Sequence, residues 1–303
     1  MIWLIGNRGM LGTELSDALA KAKLDFIGTD REVSILDPEA LSEFAAGKDI
    51  SWIINCAAYT AVEKAETEAE LCSKLNADGP GNIAKTAKAM GAKLLHISTD
   101  YVFDGTGSRP YEADDAVAPM GVYGRTKAEG ETAVRSACPE HVIIRTAWLY
   151  GKHGANFVYT MLKLMSTKDK IGVVYDQRGT PTWASDLASS IVSVVTAPVT
   201  RYGTYQFTDS GETNWHEFAV EIQKRGLASG LLARACAIDA LTTEQYGAKV
   251  KRPAYSVLSK EKIKRDYGIA IPDWKESLGR FVADVARDRE DAEVLRFLPK
   301  QSN

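Results

Sequence analysis

Tyr123 and Lys127 lie four residues apart in the run Tyr123-Gly124-Arg125-Thr126-Lys127. On a helix, residues at that spacing share one face. A phenol and an ammonium would then act as one device. A neighbouring cation lowers a phenol's pKa from its usual value of about 10, and a phenol tuned in this way passes a proton near neutral pH. A surface helix can carry the same spacing by chance. The glycine-rich run Gly6-Asn7-Arg8-Gly9-Met10-Leu11-Gly12 gives it weight. Together the two runs point to hydride chemistry on a nicotinamide cofactor.

Such residues need a scaffold, and the first half of the chain alternates strand-like and helix-like segments. Ile2 to Ile5 reads as a buried strand, and Met10 to Ala22 as a helix with Leu11, Leu15, Ala18 and Leu19 at helical spacing. Leu24 to Gly28 reads as a strand that leads into Thr29-Asp30. Asp37 is the expected N-cap of a helix opened by Pro38. Trp52 to Asn55, Lys93 to Ser98 and His141 to Arg145 read as strands, and Gly124 to Ala137 as a helix. This β-α-β-α order predicts an α/β fold: a Rossmann-like, doubly wound parallel sheet with helices on both faces. After about Tyr150 the rhythm changes, and a smaller C-terminal substrate-binding region follows. The expected division is a cofactor-binding domain of residues 1–150 with about 176–200, a substrate-binding region of about 151–175 and 201–285, and a charged tail at 286–303.

The bulk properties exclude several classes. With 303 residues, 45% hydrophobic and 25% charged, the chain can build a normal core. A net charge of -3 with scattered basic residues gives no reason to bind nucleic acid or anionic membrane. No run approaches the roughly 20 apolar residues of a membrane span. The apolar start Met1 to Ile5 is stopped by Gly6, too soon for a signal-peptide core. The four cysteines, Cys56, Cys72, Cys138 and Cys236, show no metal-ligand spacing and are expected to be free thiols in the cytoplasm.

The glycines at 6, 9 and 12 follow the first strand and open the first helix, where a backbone can approach a pyrophosphate closely. Asp30 ends the second strand, where an acid accepts from a ribose 2′-hydroxyl and favours NADH. Arg31 follows at once and Arg8 lies inside the loop. Either guanidinium could hold a 2′-phosphate and favour NADPH. NADPH is the expected cofactor and NADH the alternative. Cys56, Ala57 and Ala58 follow the third strand, where small residues let a cofactor lie against backbone. Ser98-Thr99 ends the next strand, on the side where open parallel sheets bind ligands. A hydroxyl there could hold a carbonyl oxygen to which Tyr123 gives its proton, with Lys127 keeping the phenol acidic. A turn-capping Thr99 and a packing Tyr123 are the plain alternatives.

Longer motifs carry a closer likeness. These are Asn55-Cys56-Ala57-Ala58-Tyr59-Thr60-Ala61-Val62-Glu63-Lys64-Ala65-Glu66, Ser98-Thr99-Asp100-Tyr101-Val102-Phe103-Asp104-Gly105 and Arg145-Thr146-Ala147-Trp148-Leu149-Tyr150-Gly151. Asn156-Phe157, Gly179-Thr180-Pro181-Thr182 and Arg252-Pro253 continue the series. In these the chain resembles the dTDP-4-dehydrorhamnose reductases, extended short-chain dehydrogenases, from Met1 to about Phe281. The resemblance implies reduction of the C4 ketone of dTDP-4-dehydro-β-L-rhamnose by NADPH, giving dTDP-β-L-rhamnose. It implies Thr99, Tyr123 and Lys127 as the catalytic trio. The whole run Gly6 to Gly12, Asp30, Arg31, Cys56 to Ala58 and Tyr59 would hold the cofactor. Asp100, Tyr101, Trp148, Asn156 and Arg252, with Thr99, would meet the nucleotide sugar. Trp148 offers a flat apolar face for a deoxysugar, and Arg252 could hold the diphosphate.

The chain departs from the family pattern at Ser34, where an acidic residue is common, at Cys56, where alanine is usual, and in its charged tail. Some relatives hold Mg2+ with glutamates at a homodimer interface. Glu14 matches one such position, though it reads more readily as an exposed acid near a helix N-terminus. A reductase or epimerase of another 4-keto nucleotide sugar would show the same fold and trio. A non-catalytic regulatory subunit of this fold would be expected to have an eroded trio, and here the trio is intact.

Overall fold

The computed structural model describes residues 1–248 and 250–298. Six strands build the main sheet: β1 (Ile2–Ile5), β2 (Phe26–Thr29), β3 (Trp52–Asn55), β4 (Lys93–Thr99), β5 (His141–Thr146) and, later in the chain, Gly203–Gln206. Their order across the sheet is β2-β1-β3-β4-β5 and then Gly203–Gln206, and every pairing is parallel. The direction of winding reverses between β1 and β3, so a crevice opens beyond their carboxyl ends. The second strand begins two residues later than the spacing predicts and runs through Thr29.

Alternation along β1 sets up two cores. Ile2 and Leu4 face α1 (Met10–Lys21) and the helix Ala184–Val195, in a core with Leu11, Leu15, Leu187 and Ile191. Trp3 and Ile5 face the other side, with Leu41 of α2 (Pro38–Ala45) and Ile83 and Ala84 of α3 (Gly79–Met90). Asp37 caps α2 as expected, accepting from the backbone N–H groups of Glu39 and Ala40, with Pro38 at the first position. Before α3 the chain makes one turn of α-helix at Ala69–Ser73 and then a π-helical turn at Lys74–Asp78. Asn76 lies in that turn and is fully buried. Its amide accepts from Tyr59 N–H at 2.8 Å and donates to the Tyr59 carbonyl at 3.0 Å. It acts as a strand partner for the loop that leaves β3.

The α4 helix (Val122–Ala137) starts two residues earlier than the pattern predicts, so Tyr123 falls in its first turn. A smaller core gathers on α5 (Phe157–Thr167), β6 (Lys170–Val174), Trp215–Ala228 and Trp274–Arg287, around Leu162, Phe218, Trp274 and Phe281. There β6 pairs in parallel with Ala237–Leu241.

One expected boundary moves. Gly203–Gln206 falls within the 201–285 expected for the substrate-binding region, yet it hydrogen-bonds to β5 as an edge of the main sheet. Ile263 of the short helix Glu261–Tyr267 packs into the same core as β1. A four-residue strand buried on both faces carries no periodicity to tell one sheet from another. Of the charged tail expected at 286–303, residues 299–303 lie outside the described residues. No helix among the described residues is long and apolar enough to cross a membrane.

Candidate active site

Two cavities meet at the carboxyl end of the sheet. One, of about 620 Å³, is lined by Gly6, Arg8, Gly9, Asp30, Arg31, Ser34, Cys56, Ala57 and Ala58, among others. The second, of about 460 Å³, is lined by Met10, Leu11, Thr99, Asp100, Tyr101, Tyr123, Lys127 and Trp148, and it shares Gly9, Cys56 and Ala58 with the first. The residues expected to hold a nucleotide and those expected to do chemistry therefore line one continuous cleft.

The glycine loop is built by close approach. A Cβ on Gly12 would stand 2.0 Å from the Gly6 carbonyl oxygen, so only glycine lets α1 start there. A Cβ on Gly9 would meet that oxygen at 3.4 Å and otherwise project into the cleft. Gly9 is the N-cap of α1 and provides no side-chain acceptor, which leaves the first N–H groups of the helix for an anion. The cradle and its donors fit a dinucleotide pyrophosphate. At the other end of this cavity Arg8 pairs with Glu32 at 3.5 Å, and the backbone N–H of Asp30 donates to Glu32 at 2.9 Å. Arg31 is exposed, and it lines the cavity beside Asp30.

Thr99 ends β4, donates its hydroxyl to Asp100 at 2.9 Å and is hydrogen-bonded to Tyr123. The Tyr101 ring meets Tyr123 edge-on, with centroids 5.4 Å apart. A Cβ on Gly124 would lie 2.1 Å from the Tyr101 carbonyl oxygen, so glycine beside the tyrosine lets α4 seat directly on this turn. Lys127 is buried and donates to the Ile97 carbonyl at 2.7 Å, with His96 Nε2 at 3.5 Å. The predicted Tyr-Lys pairing changes here. Burial pushes the Tyr123 phenol above its ordinary value, against the pull of the Thr99 hydrogen bond. Burial pushes the Lys127 ammonium down to about 8. The two share a cavity, but the lysine is turned to backbone and histidine at its floor. In this state Tyr123 is a phenol that keeps its proton. Asp100, pushed up to about 7 by burial, is held by Thr99 and Ser256.

Trp148 has a left-handed backbone (φ 48) that a non-glycine residue holds only under constraint. One face of its ring stacks on Trp215 with centroids 3.6 Å apart, part of the ring packs on Gly179, and the residue also lines the cleft.

Five of the expected contacts are committed elsewhere. Asn7 presses its side chain on Gly28, and Gly12 packs under the loop. Tyr59 donates its hydroxyl to Glu68 at 2.7 Å. Asn156 caps α5, accepting from Tyr159 N–H and donating to the carbonyls of Gly151 and Gly154. Arg252 pairs with Glu63 at 3.2 Å. Glu14, read as an exposed acid, is half-buried instead: it accepts from Lys152 N–H at 3.2 Å, and burial raises its carboxyl above the usual range. Among the described residues no three His, Cys, Asp or Glu side chains converge on a point, so Glu14 is part of no ligand cluster for the Mg2+ that some relatives hold.

Two functional features escape the sequence. Glu66 accepts the backbone N–H of Val122 at 2.9 Å and so caps the helix that carries Tyr123, where the N-cap Gly121 has no side chain to do so. Glu66→Ala is expected to cost about 1 kcal/mol in urea unfolding, whereas Glu66→Gln, which keeps an acceptor, stays near wild type. No local signal marks a cap supplied from 56 residues away. The second is a buried ion pair one turn below Lys127. Glu131 accepts from Arg145 Nε and Nη2, both at 2.8 Å, and from Arg135 at 2.6 Å.

A family model described as the RmlD substrate binding domain matches residues 1–287. The dTDP-4-dehydrorhamnose reductase of Salmonella typhimurium is 35% identical over 291 residues, 94% of this chain and 97% of the relative. The chain belongs to the dTDP-4-dehydrorhamnose reductase family. A crystal structure of a member from Clostridium acetobutylicum is 40% identical, covers 94% of this chain and 99% of its own, and superposes with a TM-score of 0.88. The Bacillus anthracis member, solved in complex with NADP, is 34% identical, with 93% and 98% covered and a TM-score of 0.87. As a family member this chain is an oxidoreductase of the nicotinamide-dependent kind, and its Rossmann-like sheet is the family's.

Proposed function

We propose that the protein reduces the C4 ketone of dTDP-4-dehydro-β-L-rhamnose with NADPH, with Tyr123 as proton donor, in the cytoplasm. The observation that carries this reading is the single cleft in which Thr99, Tyr123, Lys127 and Trp148 stand next to a glycine cradle. When bound, NADPH supplies the hydride. Tyr123 presents its hydroxyl to the ketone oxygen beside Thr99, whose own proton goes to Asp100, and as the ketone oxygen gains charge the Tyr123 O–H bond breaks and the carbinol O–H forms. A phenol held protonated by burial is suited to donate. Lys127 places a cation in the same cavity to offset that charge. The free Trp148 surface suits the apolar side of a deoxysugar. The four free cysteines accord with a reducing compartment.

Freshly prepared dTDP-4-dehydrorhamnose should drive NADPH consumption, and absence of turnover at high enzyme concentration would sink this reading. The same assay tests cofactor choice. Arg8 is partly neutralised by Glu32, which leaves Arg31 as the guanidinium for a 2′-phosphate. Arg31→Ala is expected to raise the KM for NADPH about tenfold, the size of one charge-assisted contact, with little change for NADH. Equal effects on both cofactors would refute the role of Arg31.

A further inference from the structure

A buried polar chain runs beneath the cleft and involves two residues that no catalytic role above has used. Asn55 ends β3, and His96 is its direct cross-strand neighbour on β4. Both are buried: His96 is fully enclosed and Asn55 nearly so. The orientation of Asn55 is settled by its own partners. The backbone N–H of Ala57 can only donate, and it meets Asn55 Oδ1 at 3.0 Å. The Asn55 amide nitrogen therefore faces His96 Nδ1, at 3.1 Å. That nitrogen must accept, so the one proton of a neutral imidazole sits on Nε2. Nε2 in turn faces Lys127 Nζ at 3.5 Å, while Nζ donates to the Ile97 carbonyl at 2.7 Å.

The consequence follows from donor counting. An ammonium has three donors and no acceptor. An imidazole N–H aimed at it finds no lone pair and adds a repulsive dipole. A neutral amine, in contrast, can accept from Nε2–H and still donate to Ile97. We propose that His96, fixed by Asn55 as the Nε2–H tautomer, is a positioning residue that seats the Lys127 amine at the floor of the cleft and disfavours its ammonium. This rests on the functional reading above for its catalytic meaning, but not for its geometry. The Lys127 ammonium is thus made easier to deprotonate while its side chain is held on His96 and the Ile97 carbonyl.

The surrounding charges are compatible with this. On α4, Glu131 lies one turn beyond Lys127 and favours the ammonium, and Arg135 lies a further turn on and opposes a charged His96. The Cys56 thiol, at the end of β3, and the Cys72 thiol, on the turn Ala69–Ser73, complete the ionisable groups that act on Lys127. Burial, with the positive charges of Lys127 and then Arg135, holds the His96 imidazole well below its ordinary value, so it stays neutral through the physiological range.

The test uses the cofactor-free full chain. Long-range proton–nitrogen NMR of 15N-histidine protein should show His96 with Nε2 protonated and Nδ1 bare. Titration of 13C-labelled lysine should then show the Lys127 midpoint rising by about one pH unit in His96→Leu, which keeps the burial and removes the dipole. His96→Gln, which can offer an amide N–H in the same place, should bring the midpoint back towards wild type. The alkaline limb of the kcat profile should move upward with it. A proton on Nδ1, or an unmoved Lys127 midpoint in folded His96→Leu, overturns the proposal. If His96→Leu does not fold, the wild-type tautomer and the His96→Gln midpoint still decide it. A wild type that turns over no ketone removes the functional reading while both NMR readouts stand.

Discussion

Tyr123→Phe is expected to lower kcat about 10³-fold, the usual worth of a positioned general acid, while NADPH binding stays within a factor of about two. The ring remains to meet Tyr101 edge-on, and the first turn of α4 keeps its Glu66 cap, so the change removes one O–H and little else. Steady-state rates and a fluorescence titration with NADPH measure the two quantities separately. Full activity in the variant would refute the proton-donor role, because no other side chain in the cleft offers both a hydroxyl hydrogen-bonded to Thr99 and a protonated resting state. Thr99 is the nearest substitute donor, but its own hydroxyl is given to Asp100.

Glu131→Ala should be the most destabilising substitution near the site, by about 3–5 kcal/mol in urea unfolding. The carboxylate is almost wholly enclosed and faces an equally enclosed Arg145 through two hydrogen bonds. Arg145 also donates to the Ala113 carbonyl at 3.0 Å and lies over the Phe103 ring. Alanine would strand that guanidinium without its counter-charge. A loss below about 1 kcal/mol, typical of an exposed pair, would show that water reaches the pair. Burial alone would push the Glu131 carboxyl upward, but the hydrogen bonds and charge of Arg145, helped by Ser98 and Arg135, outweigh it and hold the carboxyl below its ordinary value. A lowered folded pKa means that this contribution is complete above the ordinary glutamate range and is lost as pH falls through the folded value. Acid unfolding of the wild type should therefore include this group, and the variant should show a shallower acid limb.

Much of this protein is legible in its residues. The apolar run Ile2 to Ile5, the glycine run and the Asp37-Pro38 start each act through local geometry, so each survives folding unchanged. The gathering of Thr99, Tyr123 and Lys127 in one cleft is legible because they sit at a strand end and along one helix face. What is not legible is set by contacts distant in sequence. The partner of Lys127 is such a case: spacing places it beside Tyr123, but the depth of the cleft turns it towards His96 and Ile97. The Glu66 cap and the Trp148–Trp215 stack likewise join segments that share no local pattern. Asn156 and Arg252 show the converse, since a residue within a motif can be there to cap a helix or pair with Glu63.

The π-helical turn at Lys74–Asp78 bears on how the chain tolerates changes in length. A π turn holds one residue more than a regular helix would use over the same span. Removing one residue there would restore ordinary winding. Yet each residue turns a helix by about 100°, so the deletion would swing Asn76 out of register with Tyr59 and unfasten the loop that leaves β3. The surplus residue acts as a spacer that keeps a distant loop in step with the sheet. Insertions and deletions in this stretch are therefore under the same constraint as substitutions in the cleft itself.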